Sequence, residues 1–322
     1  MDALRGIAIL LVVLAHALAI PAILGFRVPD YLLRFGEFFL PFRMPALMLL
    51  SGLLLPRALA KGLPLYYLGK VQFLVWPYLV WAALHIAQGG VAYPLDDPRA
   101  WIATGYLWFL FYLALYYAMA PLLVTLSSWI VPVVFWIVAV VVPPGPLTDF
   151  FFYGGFFFAG NVAARNPGVL AWLVGRRWVV ATAAVVAIAF GCVSTVMDVN
   201  RMPLLAPLSL LGIVAAIAAM KKVGGTSVLR PIRFVGRNSL VYYVVQIPVM
   251  YVVVVVIDDR VEPIAAVAIL FLSALVVGTG LSWLRTAIPF RWLFEAPGLS
   301  LLRGLPGAGR RDAPRYSGRT YR

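Results

Sequence analysis

The sequence predicts an all-α membrane protein with about ten transmembrane helices and with both termini in the cytoplasm. Three observations support this fold class. Hydrophobic residues make up 63% of the 322 residues and charged residues only 12%, whereas soluble domains have roughly 45–50% and about 25%. The apolar residues form runs of the length that a bilayer requires. The basic residues concentrate in alternate connections between these runs.

Ten apolar runs define the predicted helices, and several of them need their flanks to reach across the membrane. The runs span residues 6–24, 38–55, 71–88, 104–125, 129–142, 149–164, 178–197, 203–220, 239–257 and 263–284. The fifth run is the shortest and has Pro132 near its start. Without it, the later basic connections would lie on the opposite side from the earlier ones. The positive-inside rule therefore retains it as a helix.

The net charge of +14 follows from this topology. With the N-terminus inside, the connections after runs 2, 6 and 8 and the C-terminal segment are rich in lysine and arginine. Such enrichment is typical of cytoplasmic loops, so no nucleic-acid partner is needed to explain it. We divide the chain into a transmembrane domain over residues 1–295 and a basic tail over residues 296–322. The glycine- and arginine-rich tail has a composition typical of disorder, and we expect it in the cytoplasm near anionic lipid.

The first apolar run contains the most informative polar side chains. Arg5 and His16 are eleven residues apart, which on an α-helix is about 20° from three full turns, with a rise of about 16.5 Å. One helix face would therefore present a cation at the cytoplasmic interface and an imidazole near the bilayer midplane. An imidazole titrates near neutral pH and can act as a general base in a dry site. In the structural alternative, Arg5 anchors the helix at the interface and His16 bonds a neighbouring helix.

This opening, LRGIAILLVVLAH, resembles that of the membrane acyltransferase-3 family. These are ten-helix bacterial proteins that transfer acyl groups, commonly acetyl, to sugars of the cell envelope. Later segments resemble the family in the same order: FRMPALMLLSGLLLPRAL, LGKVQFLVWPYLVW, GYLWFLFYLALYY and VGRNSLVYYVVQIP. The resemblance covers nearly the whole chain. The sequence departs from the family pattern at Arg43 and Gln246, where many members have histidine.

The resemblance implies an acyl-coenzyme A donor in the cytoplasm, most simply acetyl-coenzyme A. The donor is a co-substrate, and neither a bound cofactor nor a metal ion is implied. Its phosphates need cations, with which they form charge-assisted hydrogen bonds. The candidate donor-binding residues are Asp2, Arg5, Ser51, Arg57, Lys61 and Lys70. Asp2 would orient Arg5, while Ser51 would either bond the thioester oxygen or, with Gly52, allow close helix packing.

The resemblance also implies that His16 is the catalytic residue. It would take the proton of an acceptor hydroxyl as that oxygen attacks the thioester, or it would carry the acyl group itself. The acceptor would be a carbohydrate or glycolipid of the cell envelope. The enzyme would meet it at the bacterial inner membrane, where membrane lipid is a further partner. The candidate acceptor-binding residues are Glu37, Arg43 and Trp108, and the candidate supporting residues are Asn238, Ser239 and Gln246.

Two other classes of membrane protein are alternatives to this enzyme. A transporter or lipid flippase would favour several intramembrane carboxylates or repeated halves with matched broken helices. A structural membrane anchor would not need Arg5 and His16 on one helix face. The sequence has neither mid-depth acids nor matching halves. We therefore expect a multi-pass O-acyltransferase, with a transporter or flippase as the alternative.

Overall fold

The computed structural model describes residues 1–25, 27–90, 93–126, 129–199, 201–257 and 261–298. These residues form helices and turns, and no β-strand occurs among them, which confirms the all-α prediction. The helices are α1 (Asp2–Ile23), α2 (Asp30–Phe38), α3 (Leu40–Gly52), α4 (Leu55–Leu59), α5 (Leu63–Lys70), α6 (Trp76–Ala87), α7 (Trp108–Leu123), α8 (Ile130–Val141), α9 (Pro146–Arg165), α10 (Pro167–Gly175), α11 (Arg177–Ser194), α12 (Ala206–Val223), α13 (Arg230–Arg237), α14 (Ser239–Val256) and α15 (Pro263–Leu284). A π-helical turn, Val71–Val75, joins α5 to α6.

Seven helical segments of the described chain are long and apolar enough to cross a membrane. They are Asp2–Ile23, Asp30–Leu59, Gly105–Leu123, Arg177–Ser194, Pro203–Val223, Ser239–Val256 and Pro263–Leu284. The other three predicted runs are also helical, as α6, α8 and α9, but α8 has only 12 residues. At 1.5 Å per residue it is about 18 Å long, against a hydrocarbon core of about 30 Å. The number of spans and the side of each terminus therefore stay predictions.

Glycines bring α3 and α9 into close contact. A Cβ atom added at Gly52 would overlap the carbonyl oxygen of Phe157, and one added at Gly160 would overlap that of Leu49. Small residues allow helix backbones to approach closely in membranes. Of the two roles considered for the Ser51–Gly52 pair, close packing is the one that Gly52 performs.

The segment after α15 folds back onto the helix that contains the π-helical turn. The indole nitrogen of Trp76 donates to the carbonyl oxygen of Trp292 at 2.7 Å. Gln72 donates to Oε1 of Glu295, also at 2.7 Å. This segment therefore packs against the helices. Of the predicted tail over residues 296–322, residues 299–322 lie outside the described residues.

Candidate active site

The first turn of α1, which carries Arg5, contacts two other helices. Its Nη2 atom donates to the carbonyl oxygen of Leu50 in α3 at 3.1 Å, and the nearby Asp2 adds a favourable charge. On the other side, α13 packs against α1 through glycines. A Cβ at Gly236 would overlap the Asp2 carbonyl oxygen, and a Cβ at Gly6 would overlap a carbonyl oxygen of α13. The Leu-Arg-Gly opening thus sets both the helix contact and the arginine position.

Arg5 lines a cavity of about 180 Å³, which we call the inner chamber. Its polar side chains are those of Arg5, Ser51, Ser239 and Tyr243. The fold therefore brings together three predicted site residues, Arg5, Ser51 and Ser239, that lie far apart in the sequence. The Ser51 hydroxyl donates within its own helix to the Leu47 carbonyl oxygen at 2.8 Å.

Two wider cavities adjoin the inner chamber, and we call them together the vestibule. One measures about 430 Å³ and is lined by Lys61, Lys70 and Tyr117 among others. The other measures about 410 Å³, and its charged lining residues are Arg285, Arg291 and Glu295. Phe73 contributes to the walls of all three cavities. The chamber and the vestibule therefore meet at this side chain, at what we call the basic end of the helices.

Lys70 is held inside the vestibule wall rather than free in solvent. Its ammonium lies 3.3 Å from the centre of the Tyr117 ring, a distance typical of a cation–π contact. Lys70 lies outside the seven candidate spans. Burial, and then repulsion from Lys61, lowers the pKa of Lys70 to about 8. Predicted donor residue Arg57 is exposed on α4 and does not belong to these walls.

His16 lies on α1 beyond the inner chamber. It follows Ile9, a chamber residue, by two helical turns on the same face. Gln246 of α14, about one turn after Tyr243, interacts with the His16 ring, and Arg43 of α3 adds its charge there. Among the described residues, His16 Nδ1 and Gln246 Oε1 are buried without a hydrogen-bond partner. The fold thus places a predicted base, a supporting amide and an acceptor-binding cation together.

Arg43 also belongs to a polar cluster at the end opposite the basic end. It interacts with Tyr153 and with Arg201, and Arg201 forms an ion pair with Asp149 at 3.3 Å. The rings of Tyr153 and Trp108 are 4.9 Å apart. The two predicted acceptor-binding residues Arg43 and Trp108 therefore meet at the same tyrosine. His16 lies between this cluster and the inner chamber.

A family model described as an acyltransferase domain matches residues 1–283, from α1 almost to the end of α15. The chain belongs to the acyltransferase-3 family. The match confirms the resemblance carried by the Arg5–His16 opening and the later segments. No curated protein and no solved structure matches the chain. The site geometry therefore has to be interpreted from the chain's own residues. The family match and the apolar helices together identify a multi-pass membrane acyltransferase.

Two predicted site residues of this acyltransferase, Glu37 and Asn238, line neither the inner chamber nor the vestibule. Glu37 is exposed on α2, and its carbonyl oxygen accepts a hydrogen bond from the Ser194 hydroxyl at 3.0 Å. Asn238 is buried at the turn between α13 and α14, where its side chain donates to the Phe234 carbonyl oxygen at 2.9 Å. This bond runs back to α13, and the Asn238 side chain forms no capping hydrogen bond at the start of α14.

His85, the second histidine of the acyltransferase, is enclosed by neighbouring backbone. Its ring meets the Tyr106 ring edge to face at 5.2 Å. A Cβ added at Gly90 or at Gly105 would overlap the imidazole. This packing gives His85 a structural role and makes it a useful control for His16.

Several residues of the cavity walls and of the Arg43 cluster escaped the sequence prediction because no local pattern marks them. Phe73, Tyr153 and Arg201 resemble many other aromatic and basic residues of the chain until the helices pack. Arg285 and Arg291 carry a weak signal, since they follow the last apolar run in a segment rich in arginine. Their place in the vestibule depends on the return of that segment to α6.

Proposed function

We propose that this acyltransferase moves a short acyl group, most simply acetyl, from acyl-coenzyme A to a hydroxyl of an envelope glycan or glycolipid. It would do so at the bacterial inner membrane, with the basic end facing the cytoplasm. The observation that carries the proposal is the position of His16. Its buried imidazole lies between a cation-lined vestibule and a separate polar cluster around Arg43.

The charge and size of the cavities support an acyl-coenzyme A donor. Lys61 and Lys70 line the vestibule and Arg5 lines the inner chamber, and such cations bind phosphates through charge-assisted hydrogen bonds. The chamber, at about 180 Å³, is smaller than the roughly 300–1,000 Å³ of drug-sized ligand sites. A narrow acyl-pantetheine arm suits this space better than a nucleotide, which the vestibule would hold.

The chemistry proposed for His16 balances within one cycle. The imidazole accepts the proton of the acceptor hydroxyl, and the oxygen attacks the carbonyl carbon of the thioester. The carbon–sulfur bond then breaks, and the His16 proton passes to the departing thiolate. In the variant mechanism, the imidazole attacks the thioester first and then transfers the acyl group to the hydroxyl. Both routes need a neutral, unobstructed ring nitrogen.

A transfer assay with matched histidine variants tests the proposal. Membranes that contain the wild type, His16→Gln or His85→Gln at equal abundance receive labelled acetyl-coenzyme A. Mass spectrometry then follows the label into lipid-linked and polymeric glycan. We expect His16→Gln to lower transfer about 10²–10⁴-fold, the usual contribution of a general base. His85→Gln should retain most of the wild-type activity.

Two results would contradict the proposal. Transfer that persists in His16→Gln would remove His16 from the mechanism. If the wild type transfers no label from acetyl, succinyl or longer acyl donors, the proposed acyl transfer to a glycan hydroxyl is wrong. The transporter or flippase alternative would then take precedence.

A further inference from the structure

An apolar groove runs along the outside of the helices, apart from the inner chamber. It has a volume of about 220 Å³ and is open on one side. All the helices that form it belong to candidate membrane spans, and Ile188 at its wall is 58% exposed. Hydrocarbon chains of the bilayer would therefore surround the opening. Its lining includes Leu11, Phe42, Ala46, Ala187, Gly212 and Ala216.

The groove and the chamber lie on different faces of α1. Arg5 and Ile9 line the chamber and, together with His16, fall within about 40° of one another around the helix axis. Leu4 and Leu11 line the groove and lie roughly 100–120° away from Arg5. A ligand in the groove is thus separated by α1 from a donor in the chamber.

Arg43 connects the two faces. Leu47 of α3 lines the chamber, and Arg43 precedes it by one helical turn on the same face. Arg43 also lines the groove, next to Phe42, and is its one charged side chain among the described residues. Because its charge acts on His16, Arg43 stands where the groove reaches the candidate catalytic histidine.

The charges around Arg43 favour an anionic ligand. In the described part of the chain no carboxylate forms an ion pair with Arg43, and the neighbouring cation Arg201 is already paired with Asp149. The local cluster therefore carries a net positive charge. An unpaired cation inside a membrane protein is costly, and such residues commonly mark the path of a substrate.

We propose that the groove holds part of the hydrocarbon chain of a lipid-linked acceptor, whose phosphate pairs with Arg43 and whose sugar hydroxyl reaches His16. This inference rests on the proposed function and selects, between polymeric glycan and glycolipid, the lipid-linked form. Only a segment of the chain fits within the volume, so the remainder stays in the bilayer. The proposed function assigns the donor phosphates to the vestibule instead, where Lys61 and Lys70 lie.

Photo-cross-linking tests this site without relying on transfer activity. Full-length protein in proteoliposomes receives a photoactivatable polyprenyl phosphate, and mass spectrometry maps the labelled peptides. We expect labelling of groove peptides from α1, α3, α11 or α12, displaced by excess polyprenyl phosphate more readily than by the uncharged polyprenol. Arg43→Gln should remove this preference for the phosphate over the alcohol.

Two substitutions fill the groove, and a third serves as a matched control. Ala187→Leu and Ala216→Leu place a larger side chain in the apolar wall at half-buried positions. We expect each to reduce specific labelling about tenfold, since several methylenes of the ligand lose their burial. Ala189→Leu, at an exposed position of α11 outside the groove lining, should leave labelling unchanged.

The outcomes separate this inference from the proposed function. Labelling spread evenly over the lipid-facing helices, or unaffected by Ala187→Leu and Ala216→Leu, would overturn the lipid site even if the wild type transfers acetyl groups. Specific labelling of the groove in a protein that transfers no acyl group would support the lipid site and count against the acyltransferase reaction proposed above.

Discussion

Gln246 of α14 faces the imidazole of His16 on α1, and in the described chain neither His16 Nδ1 nor Gln246 Oε1 has a hydrogen-bond partner. A buried polar atom without a partner costs free energy. Each of these two atoms is therefore available to bond a ligand. In the proposed mechanism, the acceptor hydroxyl donates a hydrogen bond to the unpaired nitrogen of His16.

Gln246→Leu should lower kcat at least about tenfold and leave the KM for the donor nearly unchanged. The leucine keeps most of the volume but removes the amide that faces His16, whereas Gln246 does not line the inner chamber. As His16 takes up a proton, the unpaired Oε1 of Gln246 can accept a hydrogen bond from the imidazolium, and a hydrogen bond to a charged group is worth about 1.5–3 kcal/mol. Initial rates with labelled acetyl-coenzyme A, measured over a range of donor concentrations, separate kcat from KM.

Asn161→Leu is the matched control for Gln246→Leu. Asn161 Oδ1 is another buried amide oxygen without a partner among the described residues, but it lies on α9. Its replacement should cost stability without a selective loss of kcat. An equal loss of kcat in both variants would show that Gln246 has no special relation to His16.

Gly236→Ala should destabilise the protein and weaken donor binding at the same time. The added Cβ would overlap the carbonyl oxygen of Asp2, so α13 must move away from the turn that holds Arg5. Such overpacking costs about 1–3 kcal/mol. Thermal unfolding in detergent and coenzyme A binding by calorimetry would measure the two effects.

Gly280→Ala provides the comparison for Gly236→Ala, since a Cβ at Gly280 meets no atom within 4 Å. An alanine in a helix is favoured over glycine by about 1 kcal/mol, so this variant should be as stable as the wild type or more so. If Gly236→Ala behaves in the same way, the close contact between α1 and α13 is not needed.

The parts of the fold that sequence predicts are those set by short-range periodicity. The position of Arg5 and His16 on one face depends only on the helical repeat, and the apolar runs depend only on local composition. Both predictions survive in α1 and in the helices at all ten runs. The expected extension of short runs into their flanks does not occur at α8, which begins at Ile130 and ends at Val141, within its predicted run.

Contacts between helices could not be predicted in the same way. Arg43 and Gln246 are 203 residues apart in the chain, yet both interact with His16. That meeting depends on how α1, α3 and α14 pack, and an apolar helix surface carries no pattern that specifies its neighbour. Glycines allow the close contacts of α3 with α9 and of α1 with α13. The sequence shows these glycines but does not show which helix each of them contacts.

The affinity for coenzyme A should fall as the pH rises above about 8. Burial, and then Lys61, lowers the pKa of Lys70 to about 8, so the ammonium is charged below that pH and neutral above it. A phosphate binds the charged form, which means that binding is strongest at pH 7 and weakens towards pH 9. Calorimetry with coenzyme A across this range would follow the change.

Arginine and methionine variants identify Lys70 as the source of that pH dependence. Lys70→Arg keeps its charge throughout, so its affinity should stay nearly constant from pH 7 to pH 9. Lys70→Met has no charge at this position, so it should bind coenzyme A weakly and with the same affinity from pH 7 to pH 9. If the affinity of Lys70→Arg for coenzyme A falls with pH as much as that of the wild type, another group is responsible for the titration.

Leu47→Ala should shift the donor preference from acetyl towards butanoyl. Leu47 lines the inner chamber one turn from Arg43, hence on the side near His16, and truncation makes room for two further methylenes. Burial of a methylene is worth about 0.8 kcal/mol, so the butanoyl-to-acetyl ratio of kcat/KM should rise about tenfold. Because a buried leucine-to-alanine change costs about 2–5 kcal/mol of stability, Leu270→Ala, which is fully buried in a separate cluster, is the control. If both variants give the same ratio, the acyl group does not occupy the chamber wall at Leu47.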